Sequence, residues 1–96
     1  TYYGQDTLIY CFTQFEKSGK NGLVGQIMMQ ACEDIATGWG EEPRVFSLPA
    51  DKMLTGQMWY NAFKQNALSL MEQYTEIELA EQYPASYLLL SMLGEI

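Results

Sequence analysis

The sequence predicts a mainly α protein, a small irregular bundle of about four to five helices with at most one short extended segment near residues 44–48. Apolar residues recur at helical spacing in successive stretches. Glycines close these stretches and a proline opens the last, which is where helix ends favour each residue. Only Arg44 to Leu48 has a strand-like composition, with Val45 and Phe46 held between Pro43 and Pro49, and alone it makes no sheet. With 96 residues, the chain is expected to form one acidic helical domain over 1–96, because neither half of a divided chain could bury enough apolar surface.

The first helix is expected from an Asp6 cap to Ser18, with Leu8, Phe12 and Phe15 on one face. Thr7 to Thr13 is rich in β-branched and aromatic residues, so a short strand fits the same letters. The polar ending at Glu16, Lys17 and Ser18, followed by Gly19, favours the helix. A second helix, from about Leu23 to Thr37, is expected to bury Val24, Met28, Ala31 or Cys32, Ile35 and Trp39 and to stop at Gly38. After the turn-rich Gly38 to Pro43, Asp51 marks the start of the longest helix, which runs to about Tyr74. Trp59, Phe63, Ala67, Leu70 and Tyr74 line one of its faces. Thr75 can cap a short helix carrying Ile77, Leu79 and Ala80. Pro84 suits the first turn of a final helix over Ala85 to Leu93, ended by Gly94.

Composition narrows the chemistry. The chain has no histidine, which removes the commonest general base and metal ligand near neutral pH. Its two cysteines, Cys11 and Cys32, cannot close a zinc site and are expected to be free, buried thiols. Its serines have no histidine to activate them, and phosphate-loop, dinucleotide, nucleophile-elbow and zinc-protease motifs are all absent. We therefore expect no catalytic residues, no metal site and no cofactor, and a protein that is not an enzyme. Twelve Asp and Glu stand against 5 Lys and Arg, a net charge of -7, which repels a phosphate backbone and speaks against direct nucleic-acid binding. No apolar run approaches the ~20 residues of a membrane span. No basic stretch precedes an apolar one at the amino terminus, so neither a membrane partner nor a signal peptide is expected, and the localisation expected is cytoplasmic.

What remains is binding. Glu33, Asp34, Glu41 and Glu42 fall close together in sequence around Trp39. Their spacing does not match a calcium-binding loop. They can instead present an acidic surface anchored by an aromatic residue, the usual make-up of a contact with a basic partner. Tyr60, beside Trp59 on the long helix, points about 100° away from it, so one of the pair is expected to face outward as a second aromatic contact. Partner-binding residues are thus expected at Glu33, Asp34, Trp39, Glu41, Glu42 and Tyr60. The function expected is that of a small acidic protein-binding module. It would act as an inhibitor or regulator occupying another protein's surface, a basic nucleic-acid-handling protein among the candidates, and its composition has the general character of anti-defence proteins of phages and mobile elements. The alternative is an assembly subunit that forms a homodimer through apolar helix faces, suggested by the nearly all-apolar Tyr87 to Leu93.

Overall fold

The structure is a computed structural model and describes residues 3–19, 22–41 and 56–96. Helices make up 83% of these described residues, and they contain no strand. The five helices are α1 (Gln5–Ser18), α2 (Gly22–Gly38), α3 (Gly56–Gln73), α4 (Glu76–Gln82) and α5 (Pro84–Met92). The extended segment expected near 44–48 and the helix start expected at Asp51 lie outside the described residues, as does Glu42.

The Thr7 to Thr13 stretch is helical, but α1 does not begin on an Asp6 cap. Gly4 precedes it in a left-handed conformation (φ 80°) with no side-chain cap, and Asp6 lies inside the first turn, where a carboxylate favours the positive end of the helix dipole. A Cβ on Gly4 would fall 2.9 Å from the Ile35 side chain. Glycine therefore serves both the turn and the close approach of α1 to α2.

Two of the later helices start and stop as their terminal residues dictate. Thr75 and Glu78 form a reciprocal capping box at the start of α4: the Glu78 N–H donates to the Thr75 hydroxyl at 3.2 Å, and the Thr75 N–H donates to the Glu78 carboxylate at 3.0 Å. A cap of this kind stabilises a helix by about 1 kcal/mol. The Thr75 N–H first, and then the Thr75 side chain, hold the Glu78 carboxyl below its ordinary range. Pro84 opens α5 in the first turn, where its missing N–H costs nothing.

Around α3 the other four helices are packed, and each of them contacts it. This explains Tyr60. Trp59 and Tyr60 are both 1% exposed, because the helices packed on α3 cover a face broad enough for adjacent residues both to meet protein, while Met58, Asn61, Gln65 and Ser69 keep the opposite side in solvent. The expectation of an outward Tyr60 is therefore corrected. Its ring stacks on Phe15 (centroids 5.2 Å, 13° between planes), while Phe63 stacks on Trp59 at 5.2 Å and on Phe12 at 5.6 Å. Each such aromatic pair adds about 0.5–1.5 kcal/mol beyond the area buried. The Tyr60 hydroxyl reaches the rim of this cluster and donates to Glu16 Oε2 at 2.6 Å; Lys64 Nζ donates to Glu16 Oε1 at 2.8 Å. Lys64, then Tyr60, holds the Glu16 carboxyl below its ordinary range. Burial, with the Glu16 charge assisting, pushes the Tyr60 hydroxyl up.

The face that α2 buries also differs from expectation. Gly25, Met28, Cys32 and Ala36 face the core, while Val24 is 56% exposed and Ile35 only partly buried. The helix is turned by about one residue because Gly25 meets Gly56 of α3. A Cβ on Gly56 would lie 2.6 Å from the Gly25 Cα and closer still to its carbonyl. Contact between the two backbones places Gly25 at the centre of the buried face. As a result Leu23, Val24 and Ile27 face solvent at 76%, 56% and 60% exposure. Cys11 and Cys32 are free and buried across the α1–α2 contact; the facing Cys11 thiol and burial push Cys32 up, which keeps it protonated.

Candidate partner-binding site

The residues expected to form one patch are distributed differently. Asp34 is exposed on α2, with one carboxylate oxygen accepting from Gln30 Nε2 at 3.0 Å. Glu33 is partly buried, and burial followed by the neighbouring Asp34 charge raises its carboxyl. Trp39 is partly buried in the turn after α2, its Nε1 donating to the Tyr3 carbonyl at 2.7 Å. Tyr60 lies elsewhere, against Glu16 near the carboxyl end of α1. Trp39 bonds to Tyr3 at the amino end of α1, and the helix from Gln5 to Glu16 is about 16 Å long at 1.5 Å per residue.

Glu41 points inward and is only 4% exposed. Its Oε1 accepts from the backbone N–H of Ala85 at 2.9 Å and of Ser86 at 3.1 Å, and its Oε2 accepts from the Ser86 hydroxyl at 2.7 Å. These groups form the first turn of α5, whose preceding residue, Tyr83, supplies no side-chain cap. A helix start without Ser, Thr, Asp or Asn leaves N–H groups in need of an acceptor, and Glu41 supplies it from 44 residues away in sequence. Burial raises its carboxyl, and the bonds from Ser86 and Ala85 only partly oppose that. Glu41 therefore binds within the domain rather than at its surface, which corrects the expectation that it meets a partner. Tyr83 at the head of a proline-led helix was the one sequence sign that a distant acceptor was required.

The Glu41 bonds tie the turn after α2 to the start of α5, and the space between these elements is an apolar cleft of about 280 Å³. Gln5, Trp39, Ala80, Pro84, Tyr87 and Leu88 line it. At its edge the Tyr87 hydroxyl donates to Glu76 Oε1 at 3.3 Å. On the other side of Gln5 lies a broader trough of about 540 Å³, with Tyr3, Gly4, Ala31 and Ile35 in its walls and the carboxylates of Asp6 and Asp34 at its margin. Gln5 lines both cavities, and the Trp39–Tyr3 bond crosses from one to the other. Composition alone could not show that Asp6, a first-turn acid of α1, lines the same trough as Asp34 of α2.

In chemical terms this face offers apolar walls beside carboxylate acceptors. The described lysines, Lys17 and Lys64, lie toward the other end of the domain: Lys17 is in the last turn of α1 and Lys64 is paired with Glu16. Among the described residues no group of three or more His, Cys, Asp or Glu is placed to hold a metal ion, and no helix is long and apolar enough to cross a membrane. No protein-family model, curated protein or solved structure matches the chain.

Proposed function

We propose that the chain is an acidic protein-binding module that occupies a basic surface of another protein through the face holding Trp39, Asp6 and Asp34. The observation that carries this reading is the adjacency of an aromatic cleft and a carboxylate-edged trough, with the described lysines at the opposite end of α1. Carboxylates beside an apolar cleft steer a cationic partner and fix its orientation, while the apolar walls supply affinity. A nucleic-acid-handling protein is the partner class this charge suits, since such proteins carry basic channels, and occupying one would inhibit it. A cytoplasmic setting goes with this reading, because free buried thiols are the usual state there.

The test is affinity capture at low and high salt, with the wild type beside an Asp6→Asn, Asp34→Asn variant. The expected result is a basic protein retained at low salt by the wild type and lost both at high salt and with the variant. Retention indifferent to salt and to both carboxylates would remove the reading.

One observation favours the runner-up, a self-associating subunit. It does not come from α5, whose Leu89 and Leu90 are fully buried within the chain, but from Leu23, Val24 and Ile27 within one turn of α2. If these residues join two copies, the mass in solution is that of a dimer and Ile27→Glu returns it to that of a monomer.

A further inference from the structure

The geometry points to the Trp39–Tyr87 cleft as the seat of a single apolar side chain from a basic peptide segment of the partner, with an adjacent arginine or lysine held by Asp6 and Asp34. The inference rests on the protein-binding reading above and adds to it the chemistry of the occupant.

Size limits what can enter. At about 280 Å³ the cleft falls just below the ~300–1,000 Å³ of small-molecule sites. It has room for one leucine- or phenylalanine-sized group. Its lining suits such a group: Trp39, Pro84, Tyr87, Leu88 and Ala80 present rings and aliphatic carbon, the setting in which interface anchors concentrate their energy.

Its walls are fixed before anything binds. Glu41 holds the first turn of α5 through three hydrogen bonds, the Tyr3 carbonyl holds the indole N–H, and Glu76 accepts from the Tyr87 hydroxyl. A prearranged cleft loses little conformational freedom when filled.

Charge selects what accompanies the anchor. Asp6 and Asp34 line the trough that shares Gln5 with the cleft, and Asp6 follows Gln5 directly on α1, so a cation flanking the anchor along the peptide meets carboxylates there. An acidic flank would meet like charge there. A guanidinium, which pairs with carboxylates in a fork geometry, suits the position better than a point charge.

The test uses the whole chain and a short amidated peptide with one leucine between two arginines, followed by Trp39 fluorescence and by calorimetry. Trp59 is fully buried, which leaves Trp39 as the responsive indole. Replacing the peptide's leucine by alanine should weaken binding about tenfold or more, the effect of one buried aliphatic side chain, and replacing its arginines by glutamate should abolish binding. On the protein, Ala80→Met fills the cleft from a helical position that tolerates methionine and should weaken the leucine peptide as strongly as loss of the leucine does. Leu88→Ala widens the cleft, provides an independent second variant and should also weaken binding. Thermal melts of both variants separate a blocked cleft from a damaged fold.

Equal binding of the leucine and alanine peptides, or binding unchanged in both folded cleft variants, overturns the inference. So does a dimer that Ala80→Met dissociates, since a second copy would then be the occupant. If the cleft variants change nothing while Asp6→Asn, Asp34→Asn still abolishes salt-sensitive capture, the inference fails and the protein-binding reading stands. If the peptide discriminates as expected but no basic protein is captured, the cleft chemistry stands and the wider reading fails.

Discussion

Gly56→Ala is expected to destabilise the fold by about 3 kcal/mol, the upper range for forcing extra volume into a packed core. The cost is high because the added carbon meets backbone. The atoms within 2.6 Å of it are the Gly25 Cα and its carbonyl, and backbone has no alternative rotamer by which to withdraw. Relief would require α2 and α3 to separate, and the rings on α3 are packed by the other helices as well. The melting temperature should fall by roughly 12–24 °C, given about 4–8 °C per kcal/mol in a domain of this size. Gly38→Ala is the matched control, since nothing lies within 4 Å of the position its Cβ would take. That change should leave stability unchanged or slightly raised. Similar melting of the two variants would show that the α2–α3 approach is not limiting.

The second large effect is at Glu41. Glu41→Ala leaves two backbone N–H groups and the Ser86 hydroxyl without their acceptor, and Ala85 and Ser86 are fully buried. At about 1–3 kcal/mol for each buried group left unsatisfied, partly relieved by entering water, a loss of about 3 kcal/mol follows. Glu41→Gln keeps one oxygen for the two N–H groups, and the Ser86 hydroxyl can turn to accept from the amide. It should therefore lie within about 1 kcal/mol of the wild type.

Acid and base separate the charge from the hydrogen bonds. Burial raises the Glu41 carboxyl in the folded protein, so its neutral form favours folding. That contribution is complete below the unfolded value, near pKa ~4.3, and is lost as pH rises through the folded value. Glu16 behaves oppositely. Lys64 and Tyr60 lower its carboxyl, so its contribution is present above the unfolded value and is lost as pH falls through the folded one. Urea unfolding of the wild type and Glu41→Gln between about pH 4 and pH 7 should show the glutamine variant gaining on the wild type as pH rises. A constant difference would mean that Glu41 does not change its protonation on folding.

Much of this fold is legible in the sequence because its helices are specified locally. Leu8, Phe12 and Phe15 mark the buried side of α1, Trp59, Phe63, Ala67 and Leu70 mark that of α3, and Thr75 and Pro84 mark two helix starts. The rotation of α2 was not legible. Gly25 carries no hydrophobic signal, and its burial follows from a partner 31 positions later. The site was legible only in part. Asp34 and Trp39, singled out from the sequence, each line one of the two cavities, and Asp6, Gln5 and Tyr87 join them there through helix packing alone. Glu41 and Tyr60 belong to the interior for a related reason. An unpaired carboxylate is ordinarily an exposed residue, and the need that draws this one inward arises at α5, far along the chain.

The cleft takes its walls from α1, the turn after α2, α4 and α5, so it exists only while all of these are docked. A molecule held there binds the native chain and has no counterpart site on the unfolded one. Occupancy then acts as added thermodynamic weight on the folded state, amounting to about 2.7 kcal/mol when the ligand stands at a hundred times its dissociation constant. In such a small domain that weight is a sizeable share of the total holding the chain together. The abundance of this protein in a cell would then follow the supply of its partner, the unaccompanied fraction being the one that unfolds and is degraded.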